Sequence, residues 1–394
     1  MRKKIVLMTG GTETLDYFSR QLDTAFQSLG YKTFLFDQTQ EEESAEALNQ
    51  FIEASDTILV TFNFDGIHYD TSLFDHNGQL IWDKYNVPCV NIAVDHPFYY
   101  PTILAIQNEN FYAVSIDRYH MQYMDNYYPK LHNSLFLPLG GTSLTPNGNY
   151  KPLSERTYDV VFTGNFTPKE TFLCHINRHG EEYAAFYQSI LDELLENPDL
   201  PDDLVMEKHL LREFPEATKD EIKETISNMI FIDTYIRFYY REKTVQLLVD
   251  NGIHVHCIGH GWDKLVCAHP ENLTYEKNQY SLACLERMAD ARLSLNIMPW
   301  FKDGAHDRVF NAMANGSVCI TDHSKYLDEI LEDNENVIFY DLKHLDELPK
   351  KIKALLANPS KMENISKKGY KLAMKHHTWA SRANTLHEEL LKHF

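Results

Sequence analysis

Positive charge is scarce in this 394-residue chain: 37 lysines and arginines face 57 aspartates and glutamates, a formal net charge of −20. That balance opposes nonspecific binding to nucleic acid or to an anionic membrane, although an acidic shell can still enclose a local basic cleft. Long apolar runs are also missing, and none approaches the ~18 residues of a membrane helix. The start, MRKKIVLMTGG, is basic, but its short apolar run leads straight into Gly10 and Gly11, so it reads as a first strand and not as a signal peptide. The six cysteines (Cys89, Cys174, Cys257, Cys267, Cys284, Cys319) form no Cys-x-x-Cys pair and read as reduced thiols of a cytoplasmic protein. Nucleophile signatures such as Gly-x-Ser-x-Gly are absent. His175 with His179, and His254 with His256, have ligand-like spacing but no third partner, so no metal site is expected.

What is present is a repeated β-rich pattern. The runs KKIVLMT, TFLFD, TILVTFN, PCVNIAV, FYAVSI and SLFLPLG alternate with helical patterns, the first over about Leu15 to Leu29 and closed by Gly30. Strands spaced in this way predict a doubly wound α/β sheet with its functional groups on the loops after the strand ends. Those loops hold Gly10 and Gly11, then Asn63 to Asp65, then Asp95 and His96, then Asp117, Arg118 and His120. Gly10 and Gly11 are not a full dinucleotide fingerprint, although Asp37 does follow the second strand, so a dehydrogenase is disfavoured. After Gly140, the run TSLTPNGNYKPLSER reads as a linker, and a second series begins: YDVVFTG, HVHCIGHG, ARLSLNI, SVCITD and NVIFYD.

The length fits two domains, and the two series imply two Rossmann-like domains facing a cleft, at 1–150 and 151–375, with 376–394 as a closing helix bearing Leu386, Leu390 and Leu391. Between the first two strands of the second series lies a long helical segment, Lys169 to about Asp250, with a capping box at Thr218 and Glu221. It exceeds a normal crossover, so about 169–235 reads as an insertion: a lid, an acceptor-binding or dimerising element, or extra outer helices. Its aromatic end, IDTYIRFYYREK, reads as packing between helix and sheet.

The stretch KDGAHDRVFNAMANGSVCITD, 302–322, predicts a loop, a helix from near Asp303 and Gly304 to about Asn315, a stop at Gly316 and a buried strand. Val309, Phe310, Met313 and Ala314 form its buried side, while Arg308, Asn311 and Asn315 share another face, with the arginine solvent-facing. A helix start at the carboxyl end of a sheet favours an anion such as a diphosphate, and Arg308 adds a forked positive charge. The plainer reading is an ordinary αβ unit with a surface arginine.

Three segments of the second half carry a resemblance: IRFYYREKTVQLLVDNGIHVHCIGHGW, ADARLSLNIMPW and DGAHDRVFNAMANGSVCITD. VNIAVDHPFYYP, YAVSIDRYHMQYM and LFLPLGG carry it in the first half. The chain resembles glycosyltransferases of the GT-B fold, more narrowly the CgeB-like spore-protein group of bacteria. The resemblance implies hexosyl or N-acetylhexosaminyl transfer from a nucleotide-sugar, expected to be a UDP-sugar, to a protein or polysaccharide acceptor. The donor would sit on the second domain and the acceptor on the first, with no cofactor, no metal, no nucleic acid or membrane partner, and a homodimer as one possible assembly. No Asp-x-Asp follows a strand as in metal-dependent transferases of the other main fold.

Similar retaining enzymes place two glutamates, with seven residues between them, where this chain has Asp303 and Asn311. That is a departure, because an amide cannot offer a doubly accepting carboxylate to a ribose. The implied donor set is Arg308, Gly304 and Ala305 at the helix start, the Gly164–Asn165 turn, Gly259 and Gly261 for close backbone approach, Trp262, Asn296, His306 and Asn311, with Gly10 and Gly11 on the first domain. Asp303, Asp95 and His96 are the catalytic candidates, with Asp65 the next base for an acceptor hydroxyl. For Asp95 and His96 the plainer reading is a loop-capping Asp beside a pre-proline His. Loss of Arg308 is expected to abolish donor binding at little cost to folding. The rival functions are a nucleotide-sugar epimerase of the same fold and a noncatalytic partner of another transferase.

Overall fold

The computed structural model describes residues 2–68, 70–277 and 280–394. Two compact units emerge, Met1–Gly140 together with Trp379–Phe394, and Gly141–Thr378.

The first unit is built on a parallel sheet of β1 (Lys4–Thr9), β2 (Lys32–Asp37), β3 (Thr57–Phe62), β4 (Cys89–Ala93), β5 (Phe111–Ser115) and β6 (His132–Phe136), in the order β2-β1-β3-β4-β5-β6. Both faces of β3 are buried, which is why TILVTF is continuously apolar or β-branched instead of alternating. Helix α1 (Glu13–Ser28) carries Glu13 and Asp16 in its first turn, where they favour the positive dipole end. It buries Leu15, Phe18, Leu22 and Phe26, and Gly30 ends it at φ 86. The order reverses between β1 and β3, so the loops after those strands, with Gly10, Gly11 and Asn63 to Asp65, flank the switch point.

The second unit holds β7 (Tyr158–Thr163), β8 (Val255–Ile258), β9 (Leu273–Glu276), β10 (Ala291–Leu295), β11 (Val318–Asp322) and β12 (Ile338–Tyr340), parallel in the order β12-β11-β10-β7-β8-β9. Its switch point lies between β7 and β10. The molecule is thus α/β with two Rossmann-like sheets. β9 is a half-exposed edge strand, LTYE, too short and polar to read as a strand from its pattern.

Between β7 and β8 run α2 (Glu181–Glu196), α3 (Asp202–Glu213), α4 (Lys219–Asn228) and α5 (Ile230–Asp250). The expected capping box is present: Thr218 accepts from the Glu221 amide while the Glu221 carboxylate accepts from the Thr218 amide. The stripe buried along α5 includes Ile232, Ile236, Tyr240, Val245 and Val249, and also Arg241.

The chain closes on a helix within 376–394, with a separate helix before it. α6 (Pro359–His376) stays in the second unit, whereas α7 (Trp379–Glu389) returns to α1, where Trp379 packs on Phe18 at 4.8 Å and His387 Nδ1 meets the Tyr31 hydroxyl at 2.8 Å. Leu386, Leu390 and Leu391 are all buried. Among the described residues no helix is long and apolar enough to cross a membrane.

Candidate functional site

At the switch point of the second sheet the chain ends β7 with Thr163, Gly164 and Asn165, and leaves β10 through Asn296 and Ile297. The helix that follows runs Asp307–Ala314, so it starts one turn later than the sequence pattern implied. Asp303, Gly304 and Ala305 lie in the loop before it, where the Ser324 hydroxyl donates to Gly304 O at 2.7 Å and the Lys325 amide to Lys302 O at 2.8 Å. Gly304 and Ala305 therefore supply no helix-terminal amides. His306 is the cap, its Nδ1 3.3 Å from the Arg308 amide and 2.5 Å from Asp307 Oδ1. Burial first, then the Arg308 charge, lower the His306 pKa to about 4, against the pull of Asp307.

Arg308 is 5% exposed, which corrects the solvent-facing expectation. Its Nη1 donates to Thr163 O at 2.7 Å, Nη2 to Ile297 O at 3.3 Å and Nε to His306 Nδ1 at 3.3 Å. One guanidinium thus ties together the two strand ends that diverge at the switch point. Every residue of Asp307–Ala314 is buried, so the two-sided amphipathic reading fails as well. The cause is a layer that periodicity cannot show: the segment after Gly140 lies on the helix so closely that a Cβ on Gly141 would sit 2.7 Å from the Phe310 carbonyl.

Asn311 belongs to that contact. Its Oδ1 accepts from the Thr142 amide at 2.8 Å and its Nδ2 donates to Asp307 Oδ2 at 2.8 Å. Asn315 repeats the device, accepting from the Leu144 amide and donating to Thr142 O, both at 2.8 Å. Both ends of the Asn311 amide are engaged within the protein, where it clamps the linker to the helix. An amide suits this position because it must accept and donate together.

The sequence reading missed Arg241. Its side chain is 7% exposed and donates through Nη1 to Asn165 O at 2.7 Å, with Trp300 and Phe238 each 5.3 Å from the guanidinium. Its Nε is buried with no hydrogen-bond partner. One turn earlier, Arg237 pairs with Asp233 at 3.0 Å and stacks on Trp300 at 4.2 Å. Burial, then repulsion from Arg308 and Arg237, hold the Arg241 pKa well below the usual arginine range, and Asp233 offsets this only in part. Burial likewise takes Arg308 down to about 10, against the pull of Asp307 and Asp322. Two guanidiniums are therefore buried side by side, and the carboxylate that favours Arg241 is already bridged to Arg237. The only signal in the sequence was the i, i+4 spacing of two arginines within an aromatic run.

The glycines of this site bring two loops together. A Cβ on Gly259 would sit 2.4 Å from Gly164 O, and one on Gly261 would sit 2.0 Å from Phe166 O. They let the 259–261 loop press onto the 164–166 loop, where the Phe166 amide donates to His260 O at 2.8 Å and the His260 amide to Asn165 Oδ1 at 2.9 Å. Trp262 lies beneath, stacked on Phe166 at 5.1 Å, its Nε1 donating to Gly164 O at 2.8 Å. Asn296 donates through Nδ2 to Thr321 Oγ1 at 2.9 Å and leaves Oδ1 buried without a partner. Asp322 accepts from the Met298 amide at 3.0 Å, and burial pushes its pKa up to about 7. A cavity of about 350 Å³ opens beside it, lined by Pro198, Pro299, Lys302, Ser324 and Tyr340 among others.

The structure thus gathers Gly164, Asn165, Gly259, Gly261, Trp262, Asn296, Asp303, His306, Arg308 and Asn311 in the second unit, around the carboxyl edge of its sheet, whereas Gly10, Gly11, Asp95 and His96 belong to the first. There Asp95 accepts from Asn63 Nδ2 at 3.0 Å and from the Tyr100 hydroxyl at 3.2 Å. His96 Nδ1 accepts from the Phe98 amide at 3.2 Å, with its ring 4.5 Å from His120 and 4.8 Å from Tyr123. Asp65 differs. Burial, with the neighbouring Asp70 charge, raises its pKa to about 6, while Asp70 itself is satisfied by the Gly66 amide at 2.7 Å and Gln38 Nε2 at 2.8 Å. The backbone feeding it is strained: Asn63 and the buried Phe64 both adopt the left-handed region, at φ 45 and φ 68.

Comparison with known proteins places this geometry. Residues 241–388 match the family model described as glycosyl transferase-like. No curated protein matches in sequence. Among solved structures, the chain is similar to sucrose-phosphate synthase of Thermosynechococcus elongatus, with 11% identity, all of both chains covered and a TM-score of 0.55. It is also similar to AviGT4, a glycosyltransferase of avilamycin A biosynthesis, with 11% identity, 98% of this chain and 96% of that one covered and a TM-score of 0.52. Anabaena HepE, solved with UDP, gives 10% identity, full coverage of both chains and a TM-score of 0.52. With two parallel sheets that match these enzymes along their whole length and a glycosyl transferase-like sequence over its carboxyl-terminal part, the chain has the GT-B glycosyltransferase fold.

Proposed function

We propose that the protein transfers a glycosyl group from a nucleotide-sugar, a UDP-sugar as in the complexes of HepE, to a hydroxyl of a protein or surface-polymer acceptor. The observation that carries this reading is the buried Arg241–Arg308 pair at the switch point of the second sheet. A buried charge without a counterion is costly, and two of like sign more so, unless the site is completed by an anion. A diphosphate fits: its charge grows as the glycosidic bond breaks, and forked guanidinium donors stabilise that charge more in the transition state than in the ground state. With arginines in this role the transfer needs no metal, and it proceeds equally in EDTA.

For the base we propose Asp65 over Asp95 and His96. Asp95 already accepts two hydrogen bonds and His96 Nδ1 caps its own loop, whereas Asp65 has the raised basicity of a carboxylate meant to take a proton. The narrower affinity with the CgeB-like group rests on the motifs quoted above.

The test is thermal unfolding with UDP, GDP and their sugars. A ligand at about 100 times its Kd stabilises by ~2.7 kcal/mol. UDP is expected to give such a shift in the native protein, with or without EDTA, and none in Arg241→Met. Equal shifts in both proteins would remove the diphosphate from this site.

A further inference from the structure

The helical segment between β7 and β8 carries an apolar surface that the donor site does not use. α3 exposes Leu204 and Leu211, two turns apart on one stripe, and Phe214 just beyond its end is 60% exposed. Phe214, Pro215 and Ala217 join the buried Leu210 and Ile222 in lining a groove of about 630 Å³ between α3 and α4. Its other walls are acidic, with Glu213, Glu216 and Glu221. Residues 181–228 contain 14 acidic and 4 basic side chains, so this segment holds half of the net charge of −20.

The combination selects among occupants. An exposed apolar groove with a polar rim marks an interaction site. A second copy of the chain, meeting face to face, would set this acidic surface against itself, and like charges across an interface cost several kcal/mol. Anionic lipid and nucleic acid meet the same repulsion. We propose that the groove docks a cationic amphipathic segment of a partner protein, with an apolar anchor beside Phe214 and lysines or arginines facing Glu213 and Glu216. The inference does not depend on the donor site.

The experiment uses the full chain and a fluorescent peptide of lysines and leucines at helical spacing, with lysine-only and glutamate/leucine peptides as controls. The Lys/Leu peptide is expected to bind one to one, and more weakly as salt rises. Phe214→Ser and the double variant Glu213→Lys, Glu216→Lys are each expected to weaken it roughly tenfold or more. Both change exposed side chains, and unaltered melting temperatures show that they fold. Binding of the lysine-only peptide as tightly as Lys/Leu, or of Lys/Leu to either variant as tightly as to the native chain, would overturn the proposal. So would a dimer in sedimentation that Phe214→Ser dissociates, since the occupant would then be a second copy.

Discussion

Arg308 and Arg241 lie in one site but hold opposite relations to the fold. Arg308 satisfies two carbonyls at the ends of β7 and β10, and a hydrogen bond to a charged group contributes about 1.5–3 kcal/mol. Arg308→Met is therefore expected to destabilise the free protein by about 3 kcal/mol or more, measured by denaturant unfolding, contrary to the small cost implied by a solvent-facing side chain. Arg241 carries an uncompensated charge, so Arg241→Met is expected to leave the unliganded protein as stable as before or more so while losing UDP. Asp65 gives a third expectation at this scale. Its folded pKa, about 6, is raised above the unfolded value near 3.9, so its stabilising contribution is full below the unfolded value and lost as pH rises through about 6. Activity runs the other way, because a base works only when deprotonated. Turnover is expected to rise through about pH 6, and Asp65→Asn to abolish it while making the protein more stable at pH 7 and above. A pH–rate profile without that limb would return the role to Asp95 or His96.

Among the elements, eleven of the twelve strands among the described residues were legible because parallel strands buried on both faces are written as continuous β-branched and apolar runs. The exception, β9, is an edge strand with two exposed residues out of four. The capping box at Thr218 and the end of α1 at Gly30 were legible too, since both are local chemistry. What failed was the helix Asp307–Ala314. Periodicity assigns a polar face to solvent and has no means of knowing that a linker distant in sequence will cover it, so Arg308, Asn311 and Asn315 read as an open face when they are a buried seam. The seam makes its own prediction. Asn311→Asp keeps the acceptor for the Thr142 amide but removes the donor to Asp307 and sets two carboxylates together, at an expected cost of about 1–3 kcal/mol that grows as pH rises. Equal stability of the two proteins at pH 5 and pH 8 would show that the clamp does not hold the linker.

At the scale of the whole molecule, a chain of strong negative charge keeps Arg156, Arg241, Lys302 and Arg308, four of the five buried lysines and arginines among the described residues, in the second unit, and half of its net charge in one helical segment of that same unit. The two sheets are alike in construction, each with a switch point and loops at the strand ends, yet the second gathers Arg241 and Arg308 there, with Asp307 and Asp322 beside Arg308, whereas the loops of the first carry Asp65, Asp70 and Asp95. Under the proposed function the anionic donor fits the second unit, where the buried arginines lie, and the hydroxyl acceptor the first. Hydrogen exchange of the intact protein reads this division directly, because a ligand slows exchange where it closes local openings. UDP is expected to protect amides at 163–166, 237–241 and 296–308 and to leave those at 10–12 and 63–66 as they were. Protection confined to 10–12 and 63–66 would assign the nucleotide to the first sheet, and the arginine pair would then need another anion.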